Sequence, residues 1–171
     1  MKVVEGHAEI EDLDSFLGNI EAIGDEYDCA IQAFDADLVV GREHLETAAQ
    51  HADRAFDRGE NVARERAVEI LLYAAGRRQI NRALRMGVSE GENRLVVVVH
   101  GTGDEDNQVR EGAAADAVRE LVTPATTLGI DHADREAVRE FFDVGDAELA
   151  ATDVTLADLV CERVALLEVE K

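Results

Sequence analysis

The sequence predicts an α+β fold: a small, mostly antiparallel sheet packed against several helices in a single domain. Three observations lead there. At 171 residues and 46% hydrophobic content the chain is long enough to bury one core. Its aromatic complement is five Phe and two Tyr with no Trp, so Ala, Val and Leu must fill the interior, which favours close-packed helices and a narrow sheet. Strand-like and helix-like segments do not alternate strictly, as a parallel α/β fold would require.

The elements follow in order. Residues 2–10 alternate, with Val4, Gly6, Ala8 and Ile10 on one face and Glu5, His7 and Glu9 on the other, the pattern of a half-exposed strand. Leu13, Phe16, Leu17, Ile20 and Ile23 then recur at helical spacing. Cys29–Phe34 reads as a second strand, and Leu45, Ala48, Ala49, Ala52, Ala55 and Phe56 mark a long helix that stops near Gly59. Asn61 is the expected cap of the next helix, which is apolar almost all round from Ala67 to Ala75 and therefore central. Gly76 interrupts it, and a further helix is expected from about Arg77 to Met86, closed by Gly87. Arg94–Gly101 holds five consecutive apolar residues, four of them Val, and should be the buried middle strand. Gly101–Gly112 reads as an acidic loop. Helices are expected around Ala113–Val122 and Asp134–Phe142. Thr155 and Asp158 form a variant capping box ahead of a last helix whose stripe is Leu156, Leu159, Val160, Val164 and Leu167.

The formal net charge is −21, which taken alone argues against a nucleic-acid partner. The kind of charge changes that reading. Almost every basic residue is Arg, Lys occurring only at positions 2 and 171, while acids are spread along the whole chain. This is similar to proteins of salt-accumulating halophiles, and at about 1 M salt the Debye length is roughly 3 Å, so long-range repulsion nearly vanishes. Local exceptions then say more than the total. No apolar run reaches the roughly 18 residues of a membrane span, and the N-terminus lacks a signal peptide's apolar region. Cys29 and Cys161 fit no metal or redox spacing and read as reduced core thiols of a cytoplasmic protein.

One such exception is Ile70–Ser89, which contains Arg77, Arg78, Arg82 and Arg85 and no acid. Advancing about 100° per residue from Arg78 puts Arg82 at about +40°, Arg85 at about −20° and Asn81 at about −60°. One face of a helix would then carry only cations and an amide, with Ile80, Ala83 and Leu84 packed inward, Arg77 at the junction and Gln79 on the edge. Guanidinium forks grip phosphates and stack on bases. The same spacing also fits a solvated face, or one bridged to acids from elsewhere in the fold. Other arginines have an acid three or four residues away: Arg54 has Asp57, Arg66 has Glu69, and Arg139 has Glu136 and Asp143.

No catalytic constellation emerges. His44 and His51 lie seven apart on one helix, where a metal pair needs three or four. "HGTGD" lacks both the Walker lysine and the GxGxxG spacing and reads as a strand-end turn. Ser15 and Ser89 sit in no nucleophile elbow. Glu65 and Glu69 could share a helix face, with Arg66 close enough to neutralise one of them. The chain reads as a binder without metal, cofactor or small-molecule substrate.

"EILLYAAGRRQINRALRMGV" (Glu69–Val88), followed by "RLVVVVHG" and "LADLVCERVALLEVEK", resembles the TPRKB family, the small kinase-binding subunits of the KEOPS tRNA-modifying complex. The resemblance is clearest over 61–101 and again from Leu156 onward. It implies a non-catalytic subunit that binds the complex's small atypical kinase and the 3′ CCA end of tRNA, supporting threonylcarbamoyladenosine formation. On that resemblance Arg78, Arg82 and Arg85 would meet phosphates of the tRNA tail, Arg77, Gln79 and Asn81 would give directional hydrogen bonds, and Tyr73 could stack on a base or lie in the core. Leu159, Val160, Val164 and Leu167 could meet the kinase or pack into the core. A second reading keeps the arginine face but gives it to an acidic protein partner, with no RNA.

Overall fold

A computed structural model of the chain describes residues 1–103, 106–151 and 153–170, with side chains through Glu168. The backbone gathers into two compact units, each drawn from two stretches of sequence: Met1–Ala36 with Gly87–Thr127, and Asp37–Met86 with Leu128–Lys171.

The first unit holds the sheet. Strands β1 (Lys2–Ile10), β2 (Cys29–Asp35), β3 (Gly91–Gly101) and β4 (Thr123–Pro124) lie in the order β2-β3-β1-β4, every pair antiparallel. The valine run is central as expected, Val97 facing Val4 on one side and Ala33 on the other. β3 begins three residues before the predicted Arg94, because Gly91, Glu92 and Asn93 pair with the end of β1. Helices α1 (Leu13–Tyr27) and α5 (Asn107–Arg119) cover one face, burying Phe16, Ile20, Ala114, Ala115 and Val118 with Val4, Ile10, Ile31 and Val99. Leu17, expected in the α1 stripe, is exposed. Asp12 caps α1 by accepting from the Ser15 amide at 3.2 Å.

Two features of this unit were not legible. Asn107–Gly112 belongs to α5 rather than to an acidic loop, and Asp104 and Glu105 of that stretch lie outside the described residues. Glu111 explains the shift: its buried carboxylate accepts the Gly101 amide at 2.7 Å, so an acid of the apparent loop is an interior partner. β4 is two residues long and runs so close to β1 that a Cβ on Gly6 would stand 2.5 Å from the Thr123 carbonyl oxygen. Only glycine fits there.

The second unit is helical: α2 (Arg42–Arg58), α3 (Arg66–Ala75), α4 (Ile80–Ala83), α6 (Arg135–Phe141), α7 (Asp146–Ala151) and α8 (Leu156–Glu170). α3 packs on both α2 and α8, and its residues Glu69–Ala75 are all buried, as a helix apolar all round requires. Gly59 ends α2 in the left-handed conformation. The Thr155–Asp158 box is reciprocal, each side chain accepting from the other's amide at 3.1 and 3.2 Å. α7 had no sequence signal strong enough to predict it.

The entry to α3 differs from the expectation. Asn61 does not cap it; its amide donates to the Ala63 carbonyl at 2.8 Å within the preceding turn, and Glu65 occupies the cap position. Glu69 turns back instead and accepts from the Val62 and Ala63 amides at 2.9 and 3.1 Å. Glu65 is exposed while Glu69 is buried, so the two carboxylates share no face.

Candidate nucleic-acid interface

α3 ends at Ala75, and the carbonyls of Leu72, Tyr73 and Ala74 in its last turn are each accounted for. Gly76 adopts φ +61, its amide donates to Tyr73 at 3.0 Å and the Arg77 amide donates to Leu72 at 3.0 Å, the paired bonds of a Schellman motif. The remaining carbonyl, that of Ala74, lies 2.7 Å from His44 Nε2. With the helix closed this way, Arg77 and Arg78 leave it in a turn rather than opening a new helix.

This overturns the continuous arginine helix. Gln79 is extended, and only Ile80–Ala83 forms an α-turn, followed by a 3-10 turn over Leu84–Met86. The wheel angles drawn from Arg78 therefore do not apply. Ala83 and Met86 are the inward anchors, both fully buried. Ile80 and Leu84, expected inside, are 44% and 58% exposed, because a turn this short can sink only one edge. The result is still a cationic surface: Arg78, Gln79, Asn81, Arg82 and Arg85 are all exposed, now interleaved with two apolar side chains.

Charge pairing separates these arginines from several others. Arg42 pairs with Glu46 at 2.7 Å, Arg66 with Asp53 at 2.6 Å, Arg163 with Glu148 at 2.7 Å and Arg58 with Glu168 at 3.2 Å. Arg66 and Arg139 thus choose Asp53 and Asp146 instead of the acids nearest in sequence. Among the described residues neither Arg82 nor Arg85 has a carboxylate within ion-pair distance; the exposed Arg54, Arg64 and Arg135 share that property but are scattered along the chain. Arg78 is exposed and also takes part in an interaction within the protein.

Arg77 is different. It is only half-buried, its guanidinium donates to the Phe141 carbonyl, and it lies 5.2 Å over the Phe141 ring. Arg85 lies over the same ring at 5.8 Å. Arg77 therefore has part of its guanidinium engaged within the protein.

Two further expectations are corrected. Tyr73 is 1% exposed and stacks on His51, ring centroids 5.4 Å apart, so it is a core residue and no platform for a base. Leu159, Val160, Val164 and Leu167 are all buried, as the α8 stripe that packs against α2 and α3, and no partner reaches them. Periodicity marks such a stripe without saying what covers it.

His44 and His51 serve the fold. His44 is buried, accepting from the Val40 amide at 3.3 Å through Nδ1, which fixes the tautomer that donates from Nε2 to Ala74; burial lowers its pKa to about 4. His51 faces Glu168 at 2.9 Å. Among the described residues no group of three or more His, Cys, Asp or Glu could hold a metal ion, and no helix is long and apolar enough to cross a membrane. Cys29 and Cys161 are both free thiols, the first buried and the second partly so.

No curated protein matches the chain. A family model described as "Kinase binding protein CGI-121" matches residues 9–168. The match spans nearly the whole sequence and agrees with the TPRKB resemblance carried by the arginine segment, the valine strand and the last helix. This chain belongs to the CGI-121 family of kinase-binding proteins.

Proposed function

We propose that this chain is a non-catalytic subunit of the KEOPS complex, holding the 3′ CCA end of tRNA while it binds the complex's small atypical kinase. In that role it supports threonylcarbamoyladenosine formation and performs no chemistry itself. The observation that carries the reading is the exposure of Arg82 and Arg85, with no carboxylate in ion-pair distance among the described residues, on a stretch of an otherwise acidic chain that contains no acid. In a saline cytoplasm, bidentate guanidinium contacts and stacking outlast the long-range field, so a net charge of −21 is no bar to phosphate. Gln79 and Asn81 add directional hydrogen bonds, and the exposed Ile80 and Leu84 suit the faces of unstacked bases better than a duplex backbone.

The test is a doubly reversed variant, Arg82→Glu with Arg85→Glu, assayed against tRNA with and without its terminal CCA in strong KCl. The expected loss is about 100-fold, at about 1.4 kcal/mol for each charge-assisted contact removed, with kinase co-purification unchanged. Transcripts lacking CCA should bind the unaltered protein as poorly. If tRNA is retained and the kinase is lost, the surface docks an acidic protein instead, and the RNA reading fails.

A further inference from the structure

Helices α3 and α6 end alike. α6 closes with Asp143 at φ +55, the Asp143 amide donating to Glu140 at 3.3 Å and the Val144 amide to Arg139 at 2.8 Å. These are the same paired bonds that Gly76 and Arg77 make at the end of α3. In both helices these paired bonds pass over one carbonyl, that of Ala74 in α3 and that of Phe141 in α6. A side chain remote in sequence reaches each, His44 for Ala74 and Arg77 for Phe141. A cation at a helix C-terminus is also favoured by the helix dipole.

The two sites are linked through aromatic rings. His44 meets Phe142 edge-on at 5.6 Å, and Phe142 meets Phe141 edge-on at 5.0 Å. Phe141 in turn lies beneath both Arg77 and Arg85, at 5.2 and 5.8 Å. The exposed segment between those two arginines is thereby fastened at both ends to one buried residue. Neither fastening depends on a carboxylate, so both persist where salt screens ion pairs.

We infer that Arg77 is a positioning residue for the arginine surface, and that it presents Arg82 and Arg85 to the RNA by locking the 77–86 segment onto Phe141 without touching the ligand. The inference rests on the RNA reading above and changes the part Arg77 plays in it. A segment of one α-turn and one 3-10 turn has little stability of its own. Without the anchor, the exposed guanidinium groups would have to be ordered during binding, at a cost in affinity.

A double-mutant cycle on the full chain tests this, using tRNA transcripts ending in CCA as the probe in strong KCl. Arg77→Met should weaken binding about tenfold in the unaltered protein but less than about twofold once Arg85 is Ala, because the two substitutions loosen the same clasp. Arg77→Lys, which keeps a donor for the Phe141 carbonyl, should recover most of the affinity. Phe141→Leu, which keeps that carbonyl and removes the ring under both arginines, should weaken tRNA binding without releasing the kinase; it also serves if Arg77→Met fails to fold. Full additivity of Arg77→Met with Arg85→Ala would mean that Arg77 touches the RNA itself and would overturn the inference. So would unchanged binding in both Arg77→Met and Phe141→Leu. Failure of the RNA reading is separate: there, Arg82→Glu with Arg85→Glu would leave tRNA binding intact.

Discussion

His44 Nε2 stands 2.7 Å from the carbonyl oxygen of Ala74, joining the first turn of α2 to the last turn of α3 inside a fully buried site. The ring has to stay neutral to keep both of its bonds, since its other nitrogen accepts from the Val40 amide. Desolvation by burial lowers its pKa from 6.5 to about 4, the bond to Ala74 opposing that shift only in part. The unfolded chain therefore binds a proton that the folded one refuses between those two values. This contribution to stability is complete above pH 6.5, declines as pH falls, and levels off below about 4. Acid unfolding followed at constant high salt should be steeper over that window in the unaltered protein than in His44→Gln. Equal slopes would contradict the assignment.

Glu69 predicts a different kind of loss. Its carboxylate accepts the Val62 and Ala63 amides, so removing it strands the buried Ala63 donor and breaks a second, part-buried bond to Val62. Glu69→Ala should destabilise the protein by about 3 kcal/mol, and Glu69→Gln by roughly half as much because one acceptor oxygen remains. Denaturant melts of the two variants check the order. A neutral Glu69→Ala would mean the turn finds other partners.

The α8 stripe should behave as core. Leu159→Ala removes buried methyl groups and should cost about 3 kcal/mol in unfolding free energy. Under conditions where the variant is still folded, its affinity for the kinase should match that of the unaltered chain. A specific loss of kinase with no change in stability would return Leu159 to the interface.

Neither cysteine should react readily. Burial pushes the Cys161 thiol up to about 11, with Glu43 and Asp158 adding repulsion against the thiolate, and burial raises Cys29 as well. Alkylation by iodoacetamide at pH 8 should be slow in the folded state and rapid after unfolding, with mass spectrometry as the readout. Fast modification of Cys161 in the native protein would refute this.

Much of this was legible from the chain alone because the signals are local. Alternation placed β1, the valine run placed β3 at the centre, and Gly59, Gly76 and the Thr155–Asp158 box marked helix ends. Each of these depends on residues within a few positions of one another. The acid-free arginine segment was equally visible, and so was the family. Where the reading went astray, the deciding partner lay far off or the element was too short to show a period. Glu111 reads as loop charge until Gly101 donates to it, and a helical wheel over residues 78–85 means little when only four residues are α-helical.

The sequence by itself determined the α+β class, the central strand, several helix ends and the place where cations are concentrated, since hydrophobic period, caps and composition are properties of neighbouring residues. Tertiary structure alone decided that Tyr73 and the α8 stripe turn inward, that Ile80 and Leu84 turn outward, and that Arg77 reaches a carbonyl 64 residues away. The physical reason is that burial and long-range hydrogen bonds are settled by which surfaces meet in the folded chain, and a one-dimensional pattern shows that a face will be covered without showing by what.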